Sequence, residues 1–430
     1  MEYNYKSIDC KFIKSKRKLM YKLLLILFFS SFIYSNVLRV IIKVQTNIDV
    51  RFSILTMAFL LLLLCICSKY IRLLNFNIFI LIGVIQICST IYFSTNITSN
   101  IAFISTIWTP LIMLCIEIND DFMDRFFNKI VNIYNILIVV LTIFIVIDYL
   151  TKGSLQLFMS NFLDGTSYQR VIRYEQSSGI YRAHTILGHS LTTAYYYLIF
   201  LGINMIYINH FKKECNLSKN IILLVSIIGL FLSNSKFALI LSFLLFVVNI
   251  KNSKIKIIYI YGLVAILFFL ISTPYFKENI VARFVQAIEL GDITNGRLTA
   301  LSTFLKSGNK FNFLLGNGMW SSDNLLESLG TNNFEMPIFM FAYDYGILST
   351  ILILYLVFIH PNIILIRDKK YYTALILNII FLFGNSYNGF AVGLTTFQMY
   401  IFITFILINI SKPKTITSIE EKVYKFNRFC

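Results

Sequence analysis

Charged side chains are scarce in this chain, 14% of 430 residues against about 25% in soluble domains, and the mean hydropathy is +0.73. That shortage excludes an ordinary soluble domain. Proline is also rare, with five residues, which excludes a proline-rich linker. Cysteine is absent from the two longest polar stretches, 151–190 and 274–335, which argues against a disulfide framework there. The seven cysteines stand at 10, 65, 67, 88, 115, 215 and 430, within apolar runs or basic segments; Cys65 and Cys67 suit packing better than metal binding. No internal repeat is visible. No small-residue cleavage site follows the basic N-terminus, so the first apolar run reads as an uncleaved span.

What is present is a succession of apolar runs close to the length that crosses about 30 Å of hydrocarbon, without the period-2 alternation of barrel strands. The expected fold is therefore an all-α polytopic membrane protein. Spans are predicted at about 21–38, 52–68, 76–94, 101–118 and 130–150, then 191–209, 220–234, 237–250 and 256–273, and finally 336–359, 371–387 and 392–410. This divides the chain into a basic N-terminus 1–20, helices 1–5 over 21–150, a first long outer loop 151–190, helices 6–9 over 191–273, a large outer loop 274–335, helices 10–12 over 336–410 and a tail 411–430.

The net charge of +17 falls mostly in short segments between apolar runs, such as Lys14 to Lys18, Lys212 with Lys213, Arg367 to Lys370 and Lys412 with Lys414. By the positive-inside rule these segments are cytoplasmic, with both termini inside and anionic membrane lipids as neighbours; a nucleic-acid partner is not expected. Asp120, Asp121 and Asp124 read as a solvated inner loop. Tyrosine is abundant, 26 residues, and most of it is expected in interfacial belts.

Cations in the outer loops have no such topological explanation. Arg173, Arg182, Arg283 and Arg297 offer the planar, bidentate group that suits phosphate. Arg297 follows Thr294-Asn295-Gly296 at a predicted helix start, where free backbone N–H groups also favour an anion. Glu335 precedes Pro337 at the start of the tenth span, and Asp344 lies inside that span; either could serve as a general base. Tyr181 and Trp320 could stack on sugar rings. His184 and His189 are five residues apart, off one helix face, and no metal site is expected.

Several of these elements occur in a family order. Tyr181-Arg182 through Gly188-His189 precedes a mid-chain span; Ser233-Asn234-Ser235-Lys236 forms an outer turn; Gly296-Arg297 opens a short helix; Leu315-Gly316-Asn317-Gly318 follows; and Glu335 through Gly346 leads into a span. Over about 182–354 this order resembles the bacterial O-antigen ligase and O-antigen polymerase superfamily. Lys236 stands where the family carries Arg. Glu335 and Met336 stand where ligases carry His-Asn, which favours the polymerase branch over a ligase. The resemblance implies a metal- and cofactor-independent inverting glycosyltransferase in the bacterial cytoplasmic membrane, acting on undecaprenyl-diphosphate-linked oligosaccharide. It implies a chain-length regulator protein as a further partner. Arg182, Arg283, Arg297 and Lys236 would hold the diphosphate, Tyr181 and Trp320 the glycan, and Glu335 or Asp344 would be the catalytic base. The competing expectation is a transporter or flippase of lipid-linked oligosaccharide, in which polar groups gather at the midplane of repeated halves.

The outer placement of both long loops is directly testable. In a background lacking native cysteine, Cys introduced at Ser177 and at Ser307 should react with a membrane-impermeant maleimide in intact cells. Protection of both until permeabilisation would reject the predicted topology.

Overall fold

Inside hydrocarbon, each backbone N–H and C=O must find a partner within the chain, so an apolar run of this length has little choice but to become helical. A computed structural model of the protein describes residues 2–32, 36–47, 52–67, 71–93, 103–118, 120–160, 173, 182–183, 185, 189–249, 285, 288, 297–306, 312–318, 321–322, 325, 336–387, 389–391 and 394–411. Among them there is no strand, and the bridge between Ile71 and Ile116 is an isolated pairing.

The helices run α1 Glu2–Phe32, α2 Asn36–Thr46, α3 Phe52–Ile66 and α4 Leu73–Phe93, followed by a π-helical turn Ile104–Trp108 that passes directly into a 3-10 stretch Thr109–Cys115. Next come α5 Asp120–Leu150, α6 Ser154–Ser160, α7 Ser190–Phe211, α8 Lys219–Leu232, α9 Lys236–Asn249 and α10 Arg297–Lys306. Then α11 Pro337–Leu354 continues through a π-helical turn Tyr355–Ile359 into α12 His360–Arg367, before α13 Tyr371–Gly384 and α14 Leu394–Asn409. Leu73–Tyr92, Asp121–Leu150, Ser190–Phe211 and Pro337–Arg367 are long and apolar enough to cross a membrane. Shorter apolar helices fill much of the rest, so the described part of the chain is nearly all helical and of membrane character.

Three boundaries differ from the sequence-based expectation. The run 21–38 divides, because α1 ends at Phe32 and α2 carries Arg39 and Lys43 four residues apart on one face, as an interfacial helix does. The run 101–118 is not a regular α-helix. Pro110 lacks a donor, and the Thr109 hydroxyl bonds the Ile104 carbonyl at 2.5 Å, where π geometry gives way to 3-10. The acids at 120–124 form the first turn of α5 rather than a loop. The predicted span 256–273 lies outside the described residues.

The centre of the bundle is α7, 83% of which is buried, against 39–44% for the other three long apolar stretches. Its consecutive tyrosines explain how. Successive helical residues point about 100° apart, so Tyr195, Tyr196 and Tyr197 address different neighbours. Tyr195 donates to the Thr396 carbonyl (3.4 Å), the Tyr197 hydroxyl pairs with Thr142 Oγ1 (2.9 Å), and the Tyr196 carbonyl accepts from Tyr134 (2.9 Å). Phe32 adds edge contacts to Tyr134 and Tyr196, with centroids 4.7 and 4.9 Å away. Part of the tyrosine is thus spent on a buried aromatic lattice, in which the Tyr134, Tyr195 and Tyr197 hydroxyls find partners.

Polar contacts concentrate at the two ends of the bundle. At one end Asp124 accepts from His210 Nε2 (3.1 Å), the Ser411 N–H (3.0 Å) and the Ser411 hydroxyl (2.5 Å), fastening α5, α7 and the end of α14 together. Arg72 donates to the Ile116 carbonyl and to Asn409, both at 3.2 Å, and Lys370 to the Ile410 carbonyl at 2.6 Å. Burial lowers the Arg72 pKa from its ordinary value, and Glu117 opposes that shift. Residues 16–22, 72, 116–118, 120–124, 210–219, 367–370 and 409–411 therefore share this clasp end. At the other end Ser89, near the finish of α4, meets Leu315, and Ala183 meets Leu232 at the finish of α8.

The clasp should be worth a measurable amount. Hydrogen bonds to a charged group contribute about 1.5–3 kcal/mol each. Asp124→Ala should lower the melting temperature in detergent clearly more than Ser411→Ala, which keeps the backbone N–H bond. Equal melting of Asp124→Ala and wild type would remove the clasp as a stabilising element.

Candidate active site at the loop-bearing end

Helix α11 is broken in its middle. Gly346 has φ 80° and ψ 158°, a conformation essentially reserved for glycine. It lies nine residues past Pro337, about 13 Å along a regular helix. Such a break orphans several backbone groups at depth, and residues 313–318 of the large loop supply partners. Asn317 N–H donates to the Tyr343 carbonyl (3.0 Å), Gly318 N–H to the Asp344 carbonyl (2.8 Å), and Ile347 N–H to the Phe313 carbonyl (2.9 Å). From α4, Gln86 Nε2 donates to the Tyr345 carbonyl and to Ser349 Oγ, both at 2.9 Å, and Ser89 Oγ donates to the Leu315 carbonyl at 3.0 Å.

The two backbones approach so closely that neither tolerates a side chain. A Cβ on Gly316, at φ 78°, would meet the Asp344 carbonyl and the Gly346 N–H; a Cβ on Gly346 would meet the Leu314 carbonyl. The Gly316-Asn317-Gly318 motif is thus a seat on a broken helix. Asp344 belongs to the same seat. It is buried, with Oδ1 accepting from the Ser322 N–H (2.8 Å) and Oδ2 from the Ser322 hydroxyl (3.2 Å). Its carboxylate holds the loop where it turns back to helix at 321–322, so its place in the structure is that of an anchor for the loop.

A second constellation joins segments that are distant in sequence. Ala183 N–H donates to the Leu232 carbonyl (3.1 Å), and Thr185 Oγ1 pairs with Thr193 Oγ1 (3.0 Å), so residues 182–185 lie between the end of α8 and the first turn of α7. His189 caps α7 by accepting from Leu191 N–H at 3.3 Å. Arg182 is consequently brought close enough to Lys236, the first residue of α9, for the two like charges to act on each other. Both are half-buried. Two of the four predicted diphosphate ligands therefore converge.

Arg297 opens α10 as expected, with its side chain outside the description; Phe304, further along that helix, packs edge-on against Phe339 (5.4 Å) and Tyr343 (5.3 Å) of α11. Glu335, Arg283, Tyr181 and Trp320 lie outside the described residues. Sequence reasoning missed Gln86, Ser89 and Ser322, which carry no motif of their own, and Asp148, an acid fully buried near the end of α5. One acid in a long apolar run is easily averaged away, yet an intramembrane carboxylate is a functional candidate by default. Among the described residues no group of three or more His, Cys, Asp and Glu side chains could hold a metal ion. Comparison of the chain with protein-family models, with curated proteins and with solved structures finds no match.

The seat makes a steric prediction. Gly346→Ala forces a non-glycine residue into a region costing about 1–3 kcal/mol and drives its Cβ into the loop backbone. Protease cleavage within 307–335 should accelerate in this variant, and activity should fall with it. Wild-type proteolysis in Gly346→Ala would mean that the loop does not depend on the break.

Proposed function

We propose that this protein polymerises undecaprenyl-diphosphate-linked oligosaccharide repeat units into a surface polysaccharide, an O-antigen or capsule, on the outer face of the bacterial cytoplasmic membrane. The observation that carries the reading is the convergence of Arg182 and Lys236, 54 positions apart, at the end of the bundle where the large loop is seated. Two cations held close together suit a polyanionic ligand. A lipid diphosphate supplies that polyanion, while the apolar helices beside it suit a polyprenyl chain. Fixed cations stabilise a diphosphate leaving group without a metal ion.

In this reading a sugar hydroxyl of the acceptor attacks the anomeric carbon of the donor's first sugar. The C–O bond to the lipid diphosphate breaks, the diphosphate leaves with the bonding pair, and the hydroxyl proton passes to a base. Glu335 is the better candidate for that base, since both Asp344 oxygens are engaged by Ser322. Arg297, beside the free N–H groups that open α10, completes the diphosphate site together with Arg283. The twelve-span topology with both termini inside is part of the same proposal, as is a chain-length regulator as partner.

One observation favours a second reading, a flippase for the same lipid-linked glycan: a helix broken at depth is a habit of transporters. Deletion separates the two. Loss of long glycan chains with single units retained supports a polymerase; loss of lipid-linked units from the outer leaflet supports a flippase. Within the polymerase reading, Arg297→Ala at matched expression should cut polymerisation roughly a hundredfold, the equivalent of about 3 kcal/mol of charge stabilisation. Arg297→Lys should also be crippled, since an ammonium cannot reproduce the bidentate fork. Normal chain length in Arg297→Ala would take the residue out of the site.

A further inference from the structure

The turn between α8 and α9 contains a polar side chain that the fold does not use. Ser233 Oγ donates to the Leu230 carbonyl at 2.9 Å, and Ser235 Oγ accepts from the Ala238 N–H at 3.4 Å. Asn234 stands between them, 3% exposed, and neither its Nδ2 nor its Oδ1 has a hydrogen-bond partner. Among the described buried side chains it is the one with two separate polar atoms left unpaired. The backbone explains the choice of Asn only in part. Asn234 has φ 50°, a left-handed conformation that glycine adopts at least as readily and without burying an unpaired amide.

The neighbours indicate what is missing. Asn234 lies two residues before Lys236, and residues 182–185 run past the same turn through the Ala183–Leu232 bond. On those residues' other side, α7 begins with Ser190, buried and with its Oγ also unpaired. An ionised phosphate offers acceptors only, so it would pair with Nδ2 and leave Oδ1 orphaned. A group that satisfies both ends of a carboxamide must give and take a hydrogen bond at adjacent positions. Two neighbouring hydroxyls of a sugar ring do this, one donating to Oδ1 and the other accepting from Nδ2.

We infer that Asn234 binds adjacent ring hydroxyls of the sugar attached directly to the lipid diphosphate, and so selects glycosylated lipid over the bare carrier. The inference rests on the diphosphate being held by Arg182 and Lys236. The site makes the first sugar, not the lipid, the specificity element. Ground-state recognition of this kind appears in affinity for the donor.

The test uses the full-length protein in detergent and two probes, undecaprenyl diphosphate and undecaprenyl diphosphate bearing a single hexose. Wild type should bind the glycosylated lipid at least tenfold more tightly. Asn234→Gly keeps the left-handed backbone and removes the carboxamide; it should bring the two affinities within about twofold of each other while leaving that for the bare lipid unchanged. Asn234→Asp, which keeps an acceptor but no donor, should lose discrimination too, and serves if the glycine variant does not fold. Undiminished discrimination in either folded variant would overturn the sugar site, including the case where an ordered water alone occupies Asn234. The diphosphate reading fails separately, if wild type binds neither lipid or if Arg182→Ala with Lys236→Ala leaves both affinities intact.

Discussion

A backbone carbonyl or N–H without a partner is intolerable at the depth of a bilayer, and the organisation around α11 follows from that constraint. Gly346 interrupts the helix, and the Tyr343, Asp344 and Tyr345 carbonyls and the Ile347 N–H are met from elsewhere. The 312–318 backbone and Gln86 meet the released groups, with Ser89 holding the loop itself. Residues 312–318 thereby become part of the bundle. The break and the loop are conditional on each other, because each glycine leaves room for the other's backbone. Asp344 extends the arrangement by holding Ser322, so the position of the loop is set by a carboxylate as well as by backbone geometry.

The opposite end is built on a different principle. There the charged groups are solvated or paired across helix ends, as in Asp124 with His210 and Ser411, or Arg72 with Glu117. These contacts fasten helices without breaking one. The result is a molecule with one end devoted to closing the bundle and another where backbone is unwound, cations converge and an amide is buried unpaired. Deviations of that kind concentrate where ligands bind, since a protein gains nothing from them by itself. The asymmetry matters for the proposed chemistry, because a lipid-linked substrate must meet fixed charge at one face while its chain remains between helices.

Burial of α7 ties the two ends together. Its three consecutive tyrosines hold α5 and α14 at fixed rotations, and its first turn, capped by His189, lies against the segment carrying Arg182. Displacing α7 would therefore alter the spacing between Arg182 and Lys236. The aromatic lattice positions the candidate site from behind.

How much of this was legible in the sequence depends on the range of the physics involved. Helix class, most helix positions and the location of the basic segments follow from local composition, because a bilayer acts on each run of residues separately. The polar seat of Gly316-Asn317-Gly318 was visible as a motif, and Arg182 and Lys236 were visible as cations in segments where topology does not call for them. Local signals misplaced the end of the first span and the helical start at Asp120, since interfacial helices and helix first turns tolerate charge. What only the tertiary structure decided is pairing. That Asp344 bonds Ser322, that Gln86 serves a carbonyl 259 positions away, and that Asn234 is left without a partner are all properties of neighbours distant in the chain. A hydrogen bond's partner is chosen by packing, and packing is a sum over the whole bundle that no window of sequence contains.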